Sequence, residues 1–436
     1  MSNGIVNPEL QEKTRILLRS ALGLLTTFVE EGESIPERIK EVHKIVGPGG
    51  WSKDYEPRPE SSIFIYRHSK EIEGLPEYSP WLQAMRADPV VSRHLDSLVG
   101  TSQGGIRRTA FEYLLHMLVK QVQLWPARFD EDAFDRSYRD MEQFFYHDTV
   151  EFRAFAPLQN FSTDADAIDL GGSLRIRKIT NQELEDLLDA SALGSMIPFG
   201  EIPTSFRYAM EMHYETEKIF QEFKVENLKP SPDQECFGKL LTALRLFRSG
   251  TVGFNIVQTT PTVDTPALFG GTRGGFEYKR FWGPKYALQG GEIEAFKEFW
   301  KNFGKIDLER RTPIGIAISR FNYAYERLGL EDKLIDFMIS FEALFFKTGE
   351  IGENRHKLAV RVARLLASAY EDRKTIARDL TDFYDKRSKV VHGELATLQG
   401  ELIEKVERYL RQSIKHFVEQ PRTVGHDEIL TRLDLE

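Results

Sequence analysis

One cysteine, Cys236, stands in 436 residues, so no disulfide can form within the chain and no cysteine cluster can hold zinc. Nowhere do about 18 consecutive apolar residues occur, the run that a membrane-spanning helix needs. The first ten residues, Met-Ser-Asn-Gly-Ile-Val-Asn-Pro-Glu-Leu, lack a basic segment followed by an apolar one, so no export signal is expected. Together these absences lead us to expect a cytoplasmic protein in a reducing compartment. An excess of positive charge is missing too. The formal net charge of −9 opposes non-specific adhesion to a polyanion and argues against a generic nucleic-acid coating role. Internal repeats and low-complexity tracts are absent.

What remains is ordinary for a folded chain. Hydrophobic residues make up 41% and charged residues 29%, and the length exceeds that of one typical domain. Charge is spread unevenly: between Glu331 and Gln420, 16 Lys plus Arg balance 16 Asp plus Glu, so the rest of the chain carries the acidity.

Ile16, Leu17, Ala21, Leu24, Leu25 and Phe28 recur at helical spacing, and Ile39, Val42 and Val46 extend a second short pattern of that kind. Gly47-Pro48-Gly49-Gly50 breaks the chain, and residues 51–80, with four prolines, read as a loop-rich connection. A helical block follows to Gln123, interrupted at Gly100–Gly105. From Val150 the pattern turns α+β. Ser173–Ile179 alternates like a strand, Thr180 and Glu183 form a capping pair for a helix over 181–190, and strands are expected over 205–217 and 250–260 around a helix over 237–247. Leu268–Gly275 is glycine-rich and reads as a flexible loop without the Gly-Lys-Ser/Thr ending of a phosphate loop.

Beyond Gly304 four apolar stripes imply an antiparallel helical bundle: Leu334–Phe345, Leu358–Ala369, Ile376–Tyr384 and Leu402–Phe417. The expected architecture is an α+β multidomain protein, mainly α. It has a mainly helical region over 1–140, an α+β sensor or regulatory domain over 141–305, a helical bundle over 306–420 and a tail over 421–436.

The third stripe carries an anomaly. Helical steps from Leu380 and Tyr384 land on Arg387 and then Val391, which puts a guanidinium where an apolar side chain is expected. A desolvated arginine needs a carboxylate, a partner subunit or a phosphate. His392 follows, immediately before Gly393, a natural helix stop. A histidine and a cation suffice for RNA cleavage, because the ribose 2′-hydroxyl is a built-in nucleophile and needs only a base, an acid and charge stabilisation at the phosphate. No metal or cofactor is called for. Ser388 and Lys389 offer further phosphate contacts.

Spacing alone does not single out this pair. Arg38–His43, Arg207–His213 and Arg411–His416 match it nearly as well, and only 387–392 combines an apolar helical face with a glycine stop. The remaining histidines, His94, His116 and His147 among them, lack the i, i+4 pairing of a metal site; hydrolase, kinase and dinucleotide fingerprints are missing. The five tryptophans read as core residues rather than base-stacking platforms.

The string Phe383-Tyr-Asp-Lys-Arg-Ser-Lys-Val-Val-His-Gly393, preceded by Leu334-Ile-Asp-Phe-Met-Ile-Ser-Phe-Glu-Ala-Leu-Phe345 and the Arg355–Leu366 helix, resembles a HEPN domain of the ApeA-like family over about residues 310–420. That resemblance implies a metal-independent ribonuclease in which two protomers pair their arginines and histidines in one cleft, often in antiphage defence or toxin systems. It assigns catalysis to Arg387 and His392. Glu342, one step from the apolar Phe341 stripe, reads equally as orienting the arginine or histidine of its own bundle and as a surface carboxylate or structural salt bridge, and Tyr384, Ser388 and Lys389 are supporting candidates. Products would end in 2′,3′-cyclic phosphate. The implied partners are RNA, a second copy of the chain and a trigger or inhibitor bound by the N-terminal regions. A tyrosine two residues after the histidine, found in nucleotidyltransferase-paired relatives, is replaced here by Glu394 and Leu395, which disfavours the antitoxin-modified version. The alternative reading is a non-catalytic module that binds RNA or a nucleotide, or dimerises, through the same residues.

Overall fold

The computed structural model describes residues 5–46, 50–95, 97–101, 104–190, 206–220, 231–268, 271–274, 283–304, 306, 312–347, 349–350, 352–394, 397–420 and 424–435. The protein is mainly helical with α+β character, as expected. Its chain builds two compact units from interleaved stretches. The first takes Met1–Pro157, Gly171–Glu235 and Asn255–Tyr278; the second takes Leu158–Leu170, Cys236–Phe254 and Lys279–Glu436.

In the first unit, the Pro8–Glu30 helix begins at Asn7, whose side chain accepts from the Leu10 backbone N–H, and buries Leu10, Leu17, Leu18, Ala21, Leu22 and Leu25. Ile16 falls off this stripe and is exposed. Two expectations fail next. Residues 37–46 are not helical: Glu37–Val46 is a strand paired antiparallel with Gly50–Pro59. Only Val42 of the apolar trio turns inward, while Ile39 and Val46 stay in solvent. Four β-branched residues in ten favour the strand, and a partner strand within reach of a tight connection outweighs the three-and-four spacing. The supposed loop over 51–80 therefore holds this second strand, and then the helices Ser61–Arg67, Ser69–Glu73 and Tyr78–Ala87. Pro57 and Pro59 fit because a two-stranded sheet leaves outer edges where a missing N–H costs no ladder bond.

Gly100 and Gly105 lie in a short antiparallel pair, Leu98–Thr101 with Gly104–Arg107. Thr109 and Glu112 then cap the Ala110–Gln121 helix reciprocally. The expected capping pair Thr180/Glu183 is present, with the Glu183 N–H donating to Thr180 Oγ1 at 3.2 Å and the Thr180 N–H to Glu183 Oε2 at 3.0 Å. The main sheet of this unit places Gly271–Gly274, Ile256–Pro261, Thr149–Gln159, Phe206–Glu217 and Arg175–Lys178 side by side in that order. Gly271–Gly274 is thus a strand rather than part of a flexible loop; residues 269, 270 and 275 lie outside the described residues.

The second unit is the helical bundle. Its helices are Pro232–Phe247, Ile293–Phe303, Pro313–Glu326, Leu330–Phe345, Asn354–Leu366, Tyr370–Val391, Gly400–Glu419 and His426–Leu435, with a small parallel pair, Phe161–Thr163 and Tyr286–Leu288. Leu330–Phe345 is the central helix, touching Pro313–Glu326, Asn354–Leu366, Tyr370–Val391 and Gly400–Glu419. Leu334, Phe337, Met338, Phe341, Leu344 and Phe345 of its predicted stripe are buried. The tail folds back as a helix. Ile429, Leu430 and Leu433 are buried, and Arg361 holds Asp434 through Nε and Nη2 at 2.7 and 2.8 Å while its Nη1 and Nη2 bond Glu350.

Candidate functional site

The Tyr370–Val391 helix carries most of the predicted site. Its first turn holds Glu371 and Asp372 and its last turn Lys389, both placed to complement the helix dipole. Ile376, Leu380 and Phe383 anchor it in the bundle. The Gly393 N–H donates to Val390 O at 3.1 Å and the Glu394 N–H to Lys389 O at 2.9 Å, with Gly393 at φ 76°, which is a Schellman stop. Glycine is needed there because the left-handed backbone penalises any Cβ. His392 is the capping residue itself and is exposed.

Arg387 turns toward the central helix. Its Nη2 lies 3.7 Å from Glu342 Oε2, and the two side chains are 24% and 25% exposed. The guanidinium Nε is buried without a hydrogen-bond partner. Burial pushes the Glu342 carboxyl above its ordinary value, and the nearby Arg387 charge opposes that shift. Arg387 thus sits on an inward-facing position beside Glu342, a contact that both the orienting and the salt-bridge readings of Glu342 allow. The extension of the stripe to Val391 fails: Val391 is 52% exposed, because the last turn of the helix runs past the packed part of the bundle.

Tyr384 and Ser388 are half-buried and Lys389 is exposed. Asp385, which sequence reasoning did not single out, pairs with Arg355 at 3.1 Å and ties the first turn of Asn354–Leu366 to the late turns of the Tyr370–Val391 helix. Five residues of helix separate Arg387 from His392 by about 7.5 Å along the axis and roughly 140° around it. One chain therefore presents its arginine and its histidine on different sides of the helix end.

The three competing spacings are now separated. Arg38 and His43 lie on a strand, where an odd spacing sends side chains to opposite faces. Arg207 and His213 lie on the Phe206–Glu217 strand, and His213 pairs with Glu151 at 3.2 Å. Arg411 is buried in a structural network: its Nε donates to Arg245 O at 2.8 Å, and it also reaches Glu407 and Tyr325. The signal that could have exposed its role is a cation one step from the buried Leu410.

Among the described residues no group of three or more His, Cys, Asp or Glu side chains converges as a metal site. His94 is enclosed by Phe144, Phe145 and Phe220, and burial holds its pKa down at about 4. Trp81 is core, and Trp125 donates to Ser61 Oγ at 3.1 Å; Trp282 lies outside the described residues. No helix among the described residues is long and apolar enough to cross a membrane. No protein-family model matches the chain, and no curated protein or solved structure matches it either.

Proposed function

We propose that this protein is a metal-independent RNA endonuclease of the HEPN type, cytoplasmic, active as a homodimer, and controlled by its N-terminal regions in antiphage defence or toxin-like RNA degradation. The observation that supports this reading is the pairing of a half-buried Arg387, held at 3.7 Å by Glu342 and with an unsatisfied Nε, with an exposed His392 at a glycine-terminated helix end. The Arg387 side chain keeps 24% of its surface exposed, and a guanidinium is a strong donor to phosphate oxygens. The angular separation of the two groups favours a composite cleft, in which the arginine and histidine of each copy meet those of the other.

In that cleft one His392 removes the 2′-hydroxyl proton as the oxygen attacks phosphorus. The same residue of the second copy then protonates the departing 5′-oxygen, leaving a 2′,3′-cyclic phosphate. Arg387 stabilises the charge gathering on the phosphorane oxygens. Tyr384, Ser388 and Lys389 hold the backbone of the substrate. The test uses purified protein with a chelator and single-stranded RNA. Cleavage to cyclic-phosphate ends should vanish in Arg387→Ala and His392→Ala, and full activity in both variants would sink the mechanism.

One observation favours the alternative, a non-catalytic module. Arg387 already has a carboxylate within its own chain, as a structural or dimer-positioning arginine would. Loss of dimerisation in Arg387→Ala, with RNA bound but never cut by wild type, decides for it.

A further inference from the structure

The Glu37–Val46/Gly50–Pro59 hairpin sets Arg38 directly opposite Arg58. Like charges at facing positions of a strand pair are destabilising, so this pair weakens the hairpin that carries it. Arg58 meets Glu56 at 3.0 Å, while Arg38, its side chain 78% exposed, reaches Glu60 only at 3.9 Å, too long for a hydrogen bond.

Both arginines line a cleft of about 820 Å³, within the range of small-molecule sites. Lys40, Ser61 and Ser62 line it beside them. Three cationic residues of the lining, Arg38, Lys40 and Arg58, stand against two acidic ones, Glu41 and Glu60, and Glu41 is itself paired with Lys53 at 2.5 Å. Ser61 Oγ accepts from Trp125, so its own proton is available for donation. Val119 and Val122, half-buried at the end of the Ala110–Gln121 helix, add an apolar part to the lining.

We propose that this cleft binds a nucleotide, with the phosphates on Arg38 and Arg58, the serine hydroxyls donating to phosphate or ribose oxygens, and the base against Val119 and Val122. A bare phosphate would leave most of the volume and the apolar part of the lining unused. An anion between the two arginines also removes their repulsion, so the ligand stabilises what the sequence alone leaves strained.

The experiment is calorimetric titration of the full chain with ATP, tripolyphosphate, adenosine and a 5′-hydroxyl RNA oligomer, alongside thermal melts. ATP should bind, and more tightly than tripolyphosphate or adenosine. Arg38→Gln and Arg58→Gln should each weaken ATP at least about tenfold, the scale of one lost charge-assisted contact. Arg38→Gln without ligand should melt at or above the wild-type temperature, because the like-charged pair is gone. Val122→Asp should weaken ATP while leaving tripolyphosphate unchanged. No binding of ATP at millimolar concentration, equal affinity for tripolyphosphate, binding of the RNA oligomer only, or ATP affinity unaltered in both arginine variants would each overturn the assignment. The readout is binding, so it stands or falls independently of RNA cleavage.

Discussion

Arg387 and Glu342 meet at 3.7 Å from two different helices of the bundle, and the contact leaves the guanidinium Nε without a partner. A purely structural ion pair would gain by satisfying that N–H. A buried donor left unsatisfied lowers local stability.

Glu342→Gln separates these roles. The folded carboxyl is pushed above its ordinary value by burial, so its ionised form is disfavoured in the fold. The penalty is absent below the unfolded value near 4.5 and complete above the folded one. The variant should therefore melt higher than wild type at pH 7 and about equally at pH 4. If Glu342 positions Arg387 for the proposed cleavage, activity should fall on the order of 100-fold. Equal activity would show that Glu342 does not position Arg387.

At Gly393 the backbone angle, not space, is decisive. A Cβ there would meet nothing within 4 Å, yet φ is 76°. Gly393→Ala should cost about 1 kcal/mol from the left-handed conformation alone. Gly393→Asn should cost less, since asparagine tolerates that region. If His392 acts from the helix stop, cleavage should fall more in the alanine variant than the stability loss explains, measured well below both melting temperatures.

Arg361 is the clamp of the C-terminal helix. It is buried between Glu350 and Asp434 and also donates to Phe345 O at 2.5 Å. Arg361→Ala would leave Glu350 to Lys357 at 3.1 Å and the half-exposed Asp434 to Lys347 at 4.0 Å, and should cost on the order of 3 kcal/mol. Hydrogen exchange should show His426–Leu435 opening first. Hydrogen bonding to Arg361 holds Glu350 down at about 2, so this contribution is complete above pH 4.5 and is lost as the pH falls toward 2. A wild-type helix that stays protected at pH 2 would contradict it.

In the first unit, Glu211 is surrounded by Arg153, Arg175 and Arg177, and Glu183 by Arg153 and Arg177. Burial raises both carboxyls, but the guanidiniums outweigh it and hold each at about 2. Stability from this cluster is present above pH 4.5 and disappears on acidification toward 2. Glu211→Gln should cost on the order of 3 kcal/mol at pH 7 and much less at pH 2, read from denaturant melts at both values.

Legibility varied with the range of the interaction involved. The bundle stripes were readable because a helix repeats its buried face every three or four residues, and Leu334–Phe345 carries that repeat without interruption. The Thr180/Glu183 cap and the Gly393 stop were readable for a related reason: both are satisfied within five residues. Residues 37–59 misled because Ile39, Val42 and Val46 fit a helical spacing by chance, while the partner strand that decides their state was hidden among prolines.

By itself, then, the sequence determined the helical region beyond Gly304, the position of Arg387 on an inward-facing turn and the end of its helix at His392, since all three rest on short-range periodicity and backbone chemistry. Tertiary structure alone decided that Glu342 receives Arg387, that Val391 is left in solvent, that Arg411 is structural and that Arg38 faces Arg58. Those facts depend on which distant segments pack together, and packing of segments 20 to 166 residues apart leaves no periodic trace in the chain.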